Sequence, residues 1–257
     1  MSNSTRLRSD MYDRLRNSDR RGFLKGAAAV LGGTVVTNLL QAQSQHGASA
    51  GMFDGFKISK IQTTGATINV IVGGQGPPVL LLHGSPQTHV MWYKIAPRLA
   101  TEFTVVAADL RGYGDSSKPA DGDNHSNYSK RSMAHDQIEI MSHFGFEKFA
   151  VVGHDRGGRV GHRMALDYPN RIAKLAVLDI VPTYTLLHSV NNEIATAFYH
   201  WFFLVQPSPF PETLIASNVE FYLKYMMFLP GRHFLPEEIP DETLAVLRTF
   251  LNTYRTH

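Results

Sequence analysis

The sequence predicts an α/β fold, a mostly parallel sheet with helices on both faces and a helical cap over one edge. Three observations carry that prediction. Val79-Leu80-Leu81-Leu82, Thr104 to Ala108, Phe149-Ala150-Val151-Val152 and Leu175-Ala176-Val177-Leu178 are apolar throughout rather than alternating, as strands buried on both faces are. Helical patterns separate them, the order that a parallel sheet requires. The runs lead into His83-Gly84-Ser85, Asp109-Leu110-Arg111-Gly112, Gly153-His154-Asp155 and Asp179. Polar and glycine-rich residues therefore gather at the carboxyl edge, where such sheets place their reactive groups.

The remaining elements follow in order. Residues 57–72 alternate polar and apolar on either side of Gly65 and predict a two-stranded hairpin, and 73–78 form a turn cluster rich in Gly and Pro. A helical stretch is expected from about Gln87 to Ala100. A loop over 111–127 leads to a helix near Arg131–Phe144 with Ala134, Ile138 and Met141 on one face, and Val160 to Leu166 continues as helix after the third strand. Residues 182–227 are aromatic-rich, lack short apolar strands and read as the helical cap insertion. Asp241 to Leu251, with Leu244, Leu247, Phe250 and Leu251, reads as an amphipathic helix.

Charge divides the chain unevenly. The net charge is +3, yet residues 1–50 hold seven Lys and Arg against three Asp, which leaves the rest near −1. The body therefore has no electrostatic footprint for nucleic acid. Asp19-Arg20-Arg21-Gly22-Phe23-Leu24-Lys25 resembles the twin-arginine export motif, followed by an apolar run from Gly26 to Leu40 and by Ala48-Ser49-Ala50 as a cleavage site. The run is short and rich in Gly, Ala and Thr, which argues against a stable membrane anchor. Residues 1–50 are thus expected to be a signal peptide, 51–257 the mature domain, and the destination periplasmic or secreted. No cysteine is present, so disulfides are excluded.

The chemistry centres on Gly153-His154-Asp155-Arg156-Gly157, directly after a buried strand and before a helix. This matches the nucleophile elbow of the α/β-hydrolase fold with Asp in place of Ser. A Ser nucleophile needs a base to activate it, whereas a carboxylate is already ionised at neutral pH. It can displace a leaving group from an sp3 carbon and form an alkyl ester, which water activated by a His then hydrolyses. The backbone N–H groups of Ser85 and Arg156 are the candidate oxyanion hole. Arg156 and Arg159, three apart at a helix N-terminus, can share the face beside Asp155 and hold a carboxylate. Read as residues alone, Asp179 could also cap a turn, Arg159 could pair with a structural acid, and His200-Trp201 reads first as helix packing.

With these motifs in hand, the chain resembles the haloacetate (fluoroacetate) dehalogenases. The resemblance rests on His83-Gly84-Ser85-Pro86-Gln87, Asp109 to Gly114, Gly153 to Arg159, Leu175 to Tyr184 and Tyr199-His200-Trp201, and it resumes at Leu229-Pro230-Gly231-Arg232-His233-Phe234. It implies Asp155 as nucleophile, Asp179 as the acid of the triad and His233 as the base that activates water. It further implies that Arg156 and Arg159 bind the substrate carboxylate, and that His200 and Trp201 receive the halide. The substrate would be a small halogenated carboxylic acid, with no metal or cofactor; a homodimer is compatible with the sequence.

Between Tyr222 and Leu229 the resemblance breaks, where that family continues with more cap and two more core strands. Asp179 and His233 lie only 54 positions apart, and the third halide donor of the family, a cap tyrosine, cannot be carried over to Tyr222 or Tyr225. Tyr225-Met226-Met227-Phe228-Leu229 is the candidate for the last strand before the His233 loop. Epoxide hydrolysis shares the Asp elbow and is the alternative activity; a catalytically inactive, shortened hydrolase is the alternative of another kind.

Overall fold

The computed structural model describes residues 51–227 and 234–254. The proposed signal peptide, the boundary at residue 50 and His233 lie outside the described residues.

The hairpin forms as expected, with β1 (Lys57–Gln62) antiparallel to β2 (Thr67–Gly73). The sheet continues through β3 (Pro78–Leu82), β4 (Thr104–Ala108), β5 (Phe149–His154) and β6 (Ile172–Leu178), in the order β1-β2-β4-β3-β5-β6. Pairing from β4 through β6 is parallel, and β2 meets β4 antiparallel. The predicted helical stretch after β3 is broken into a 3-10 turn at His89–Trp92 and the short helix α1 (Ala96–Leu99), which carries Pro97 in its first turn. Two longer helices flank the elbow strand, α2 (Lys130–His143) and α3 (Arg156–Asp167).

Strand periodicity divides the core between the two faces of the sheet. Leu80, Leu82, Val106, Ala108 and Val151 pack with Met133, Ala134 and Met141 of α2 and with Val160 and Met164 of α3. The intervening residues Val79, Leu81, Val105, Ala107, Ala150 and Val152 face the other way. They meet Trp92, Ile95 and Leu99, together with Leu244, Leu247 and Leu251. These last three lie on α10 (Pro240–Asn252), the predicted amphipathic tail, so the C-terminal segment closes one face of the sheet.

The cap region is wholly helical, as predicted: α4 (Thr183–His188), α5 (Asn192–Ala197), α6 (Tyr199–Leu204), α7 (Phe210–Ser217) and α8 (Val219–Met227). One expectation is overturned here. Tyr225-Met226-Met227 is not strand; it ends α8, where Lys224 also pairs with Glu220 one turn back at 2.6 Å. A strand needs a paired neighbour, and among the described residues no strand follows β6, which ends the sheet. The edge shows the cost: β6 is buried along none of its length, and Val177 is 46% exposed. The short helix α9 (Leu235–Glu238) precedes α10.

Candidate active site

Asp155 joins β5 to α3 with φ 45° and ψ −113°, a positive-φ conformation that a non-glycine residue adopts only under constraint. The constraint is visible in the packing. A Cβ on Gly157 would lie 2.3 Å from the carbonyl oxygen of Leu82, so α3 can approach β3 this closely only with glycine at that position. Asp155 is 9% exposed, at the carboxyl end of β5.

Two backbone hydrogen bonds fix its surroundings. The Ser85 N–H donates to Asp155 Oδ2 at 3.0 Å. The Asp155 N–H donates to the carbonyl of Leu178 at 3.1 Å, so the elbow is tied to the residue immediately before Asp179. Asp179 also has positive φ, 49°, at the turn leaving β6. Two of the three proposed catalytic residues are thus carried on paired, adjacent strands, since His154 and Leu178 are register partners. The third, His233, is outside the described residues; Phe234, next in sequence, has its ring centroid 6.5 Å from that of His154.

The loop that bears Ser85 is braced from behind by groups to which the sequence reading gave no role. His83 Nε2 accepts from the Leu110 N–H at 2.9 Å, so its proton is on Nδ1, which donates to the Gly84 carbonyl at 2.7 Å. Burial lowers the His83 pKa to about 4, against weaker opposing effects from the Gly84 carbonyl and Asp109, and the ring is neutral at physiological pH. Asp109 accepts from the His89 backbone and ring at 2.7 and 2.8 Å, from Asn69 at 3.0 Å and from the Asp115 N–H at 3.1 Å. Burial acts to raise its pKa, but the bonds and charge from His89 outweigh it and hold the carboxyl at about 2. A buried Asp after an apolar strand was the available signal.

Arg156 opens α3, where its backbone N–H is one of the free donors of a helix start. Arg159 lies one turn on. Its Nε and Nη2 are buried and have no hydrogen-bond partner among the described residues. That same pair of atoms on Arg111 grips the two oxygens of Asp136 at 2.6 and 2.7 Å. Arg159 therefore presents the edge that holds a carboxylate elsewhere in this molecule. Burial lowers its pKa to about 10, the charge of Asp155 opposing and that of Arg156 adding to the shift. Its guanidinium stacks on the Trp201 ring, 3.7 Å from the centroid. His200 neighbours Trp201 edge-on, with ring centroids 6.4 Å apart.

A further cation adjoins this group. Lys130, the first residue of α2, has a pKa lowered to about 8 by burial, then by the charges of Arg156 and Arg159, with Asp155 acting in the opposite sense. A lysine at a helix N-terminus opposes the helix dipole, which was the one sequence signal for it. Tyr222 is half-buried with its pKa raised by burial, opposed by Arg156. Among the described residues, no three His, Asp or Glu side chains converge as a metal site.

The comparisons agree with this geometry. Residues 77–252 match the α/β-hydrolase-fold family. A fluoroacetate dehalogenase from Burkholderia sp. is 53% identical over 177 residues, covering 69% of this chain and 58% of that protein. A soluble epoxide hydrolase from Corynebacterium sp. (strain C12) is 35% identical over 182 residues, covering 70% of this chain and 62% of that protein. Among solved structures, a candidate α/β hydrolase from Nostoc sp. PCC 7120 superposes with a TM-score of 0.68 at 51% identity, covering 79% of this chain and 72% of that one. The chain thus spans about three fifths of the length of both curated relatives. On its sheet order, its strained elbow and the match across most of its length, the chain belongs to the α/β-hydrolase family.

Proposed function

We propose that this chain hydrolyses haloacetates to glycolate and halide through an ester on Asp155. The observation that carries the reading is the Arg159 edge, buried and unpartnered among the described residues, on the helix that Asp155 begins. A neutral epoxide gives two arginines nothing to neutralise; a haloacetate brings its carboxylate to them and its Cα to Asp155.

Ser85 holds Oδ2, which leaves Oδ1 as the attacking oxygen. Oδ1 forms a bond to Cα as the carbon–halogen bond breaks, and the halide departs with the bonding pair toward His200 and Trp201. In the ester the carbonyl oxygen is Oδ2, still facing the Ser85 N–H, which is where the tetrahedral oxyanion forms. Water adds to the ester carbon Cγ and gives one proton to His233. The Cγ–Oδ1 bond then breaks, and the alkoxide takes that proton and leaves as glycolate. The remaining water proton is lost from the new carboxyl to solvent, which restores the Asp155 carboxylate.

The test is halide release from fluoro-, chloro- and bromoacetate, with mass spectrometry of Asp155 after bromoacetate. A chain that is neither alkylated nor active on any haloacetate would favour the inactive reading, and turnover of epoxides alone the epoxide hydrolase reading, which the Corynebacterium relative supports. We also propose twin-arginine export with cleavage near Gly51. An intact leader on the exported protein would contradict that.

A further inference from the structure

Arg159 uses two different parts of a planar group. Its face lies on the Trp201 indole at 3.7 Å, while its Nε and Nη2 edge is buried and has no hydrogen-bond partner among the described residues. Guanidinium N–H bonds radiate in the plane, so stacking on an indole leaves the carboxylate-binding edge free. The two contacts are compatible, and one orientation of the plane satisfies both.

We infer that Arg159 positions Trp201, so that a substrate carboxylate docked on the guanidinium edge fixes the orientation of the indole that receives the leaving halide. The halide half of this inference rests on the dehalogenase reading; the coupling of anion binding to the indole does not. The two ends of the contact differ in support. Arg159 is carried by α3, which is anchored in the core by Val160 and Met164. Trp201 is carried by α6, six residues long with no buried side chain. Beyond the guanidinium, its ring contacts among the described residues are with Phe198 at 5.5 Å and His200 at 6.4 Å, both neighbours in sequence. Among the ring and cation contacts of Trp201 within the described residues, the one that reaches the anchored core is Arg159.

Loss of carboxylate binding and loss of indole placement have different kinetic signatures. The first weakens every haloacetate equally and raises KM. The second matters most for the halide that most needs hydrogen-bond donors as it leaves, which is fluoride. Arg159→Lys keeps the charge but removes the plane, so it separates the two.

One measurement needs no turnover. The chain has two tryptophans, and Trp92 is fully buried in the core. Titration with acetate is expected to change the emission of the wild-type protein, and this change should vanish in Trp201→Phe and in Arg159→Lys. In the second measurement, Arg159→Lys should raise KM for fluoroacetate and bromoacetate alike, while its kcat falls on the order of tenfold further on fluoroacetate. In the Trp201→Phe background that extra fluoride penalty should disappear. Wild-type emission that ignores acetate overturns the coupling, as do equal kcat losses on both substrates. An acetate response in a protein that turns over no haloacetate overturns the dehalogenase reading and leaves the coupling standing.

Discussion

The Ser85 backbone N–H donates 3.0 Å to Asp155 Oδ2, joining residues 70 positions apart in the chain. In the proposed reaction it would divide the two carboxylate oxygens between two tasks, one held and the other left to attack. The same donor would then face the oxygen that becomes negative in ester hydrolysis, with no rearrangement between the two steps.

The first prediction follows from that division. Asp155→Asn removes the nucleophile while preserving an acceptor for Ser85, so the protein should fold normally and form no adduct with bromoacetate. Thermal melting checks the fold, and intact mass checks the chemistry. An Asp155→Asn protein that still gains the mass of a carboxymethyl group would move the nucleophile elsewhere.

Acid stability should report the brace behind Ser85. His83 has a folded pKa of about 4 against an ordinary 6.5, so the unfolded chain binds the proton first and stability falls as pH drops from 6.5 to 4. Asp109, at about 2 against 3.8, loses its contribution in a second window, as pH falls from 3.8 to 2. The His83 window is worth on the order of 3 kcal/mol. His83→Asn retains a donor for the Gly84 carbonyl but not the titration, so its melting temperature should be flatter between pH 6.5 and 4. A slope identical to that of the wild type would show that His83 is not what titrates.

Most of the fold was legible in the sequence because apolar strands and glycine-bounded turns are local signals. The four parallel strands, the hairpin, the elbow and the amphipathic tail form where the patterns put them. The failure at Tyr225-Met226-Met227 has a physical cause: these residues suit helix or strand, and the choice was made by what lies beside them. Around the elbow, the motif spacing was enough to place the turn at Asp155 and the Ser85 loop beside it. His89 was not readable, since an isolated histidine gives no sign that Asp109 will accept from both its ring and its backbone N–H. The stack of Arg159 on Trp201 was also invisible, because it joins α3 to α6 across the fold.

The exposed end of the sheet gives the third prediction. Val177 lies on β6, which among the described residues has a strand partner on one side only, and is 46% exposed. An unpaired apolar edge promotes self-association, and a charge on it opposes that. Val177→Lys should change monomer stability by about 0.5 kcal/mol or less, as surface substitutions do, while lowering aggregation at high concentration. Light scattering together with melting curves would check it; a large loss of stability would mean that the Val177 side chain is packed.

Lys130 gives the last prediction, in which function and stability pull in opposite directions. Lys130 is half-buried, its charge sensed by Arg156 and Arg159, and its ammonium donates to the thioether of Met133 at 3.9 Å. A folded pKa of about 8 against 10.5 means that the fold disfavours the charged form, and the penalty is present in full below pH 8. It is relieved as pH rises from 8 toward 10.5, where the unfolded chain still binds the proton. Lys130→Met should therefore be more stable than the wild type at pH 7, by ~1–3 kcal/mol, and the difference should shrink above pH 8. In the proposed function the same ammonium would add a positive charge to a site that binds a carboxylate. Wild-type KM for haloacetates should rise as pH passes 8, and in Lys130→Met it should be higher throughout and flat across that range. Melting curves and KM at pH 7 and pH 9 decide the matter. A variant that is less stable at pH 7, with an unchanged KM profile, would show that Lys130 serves packing alone.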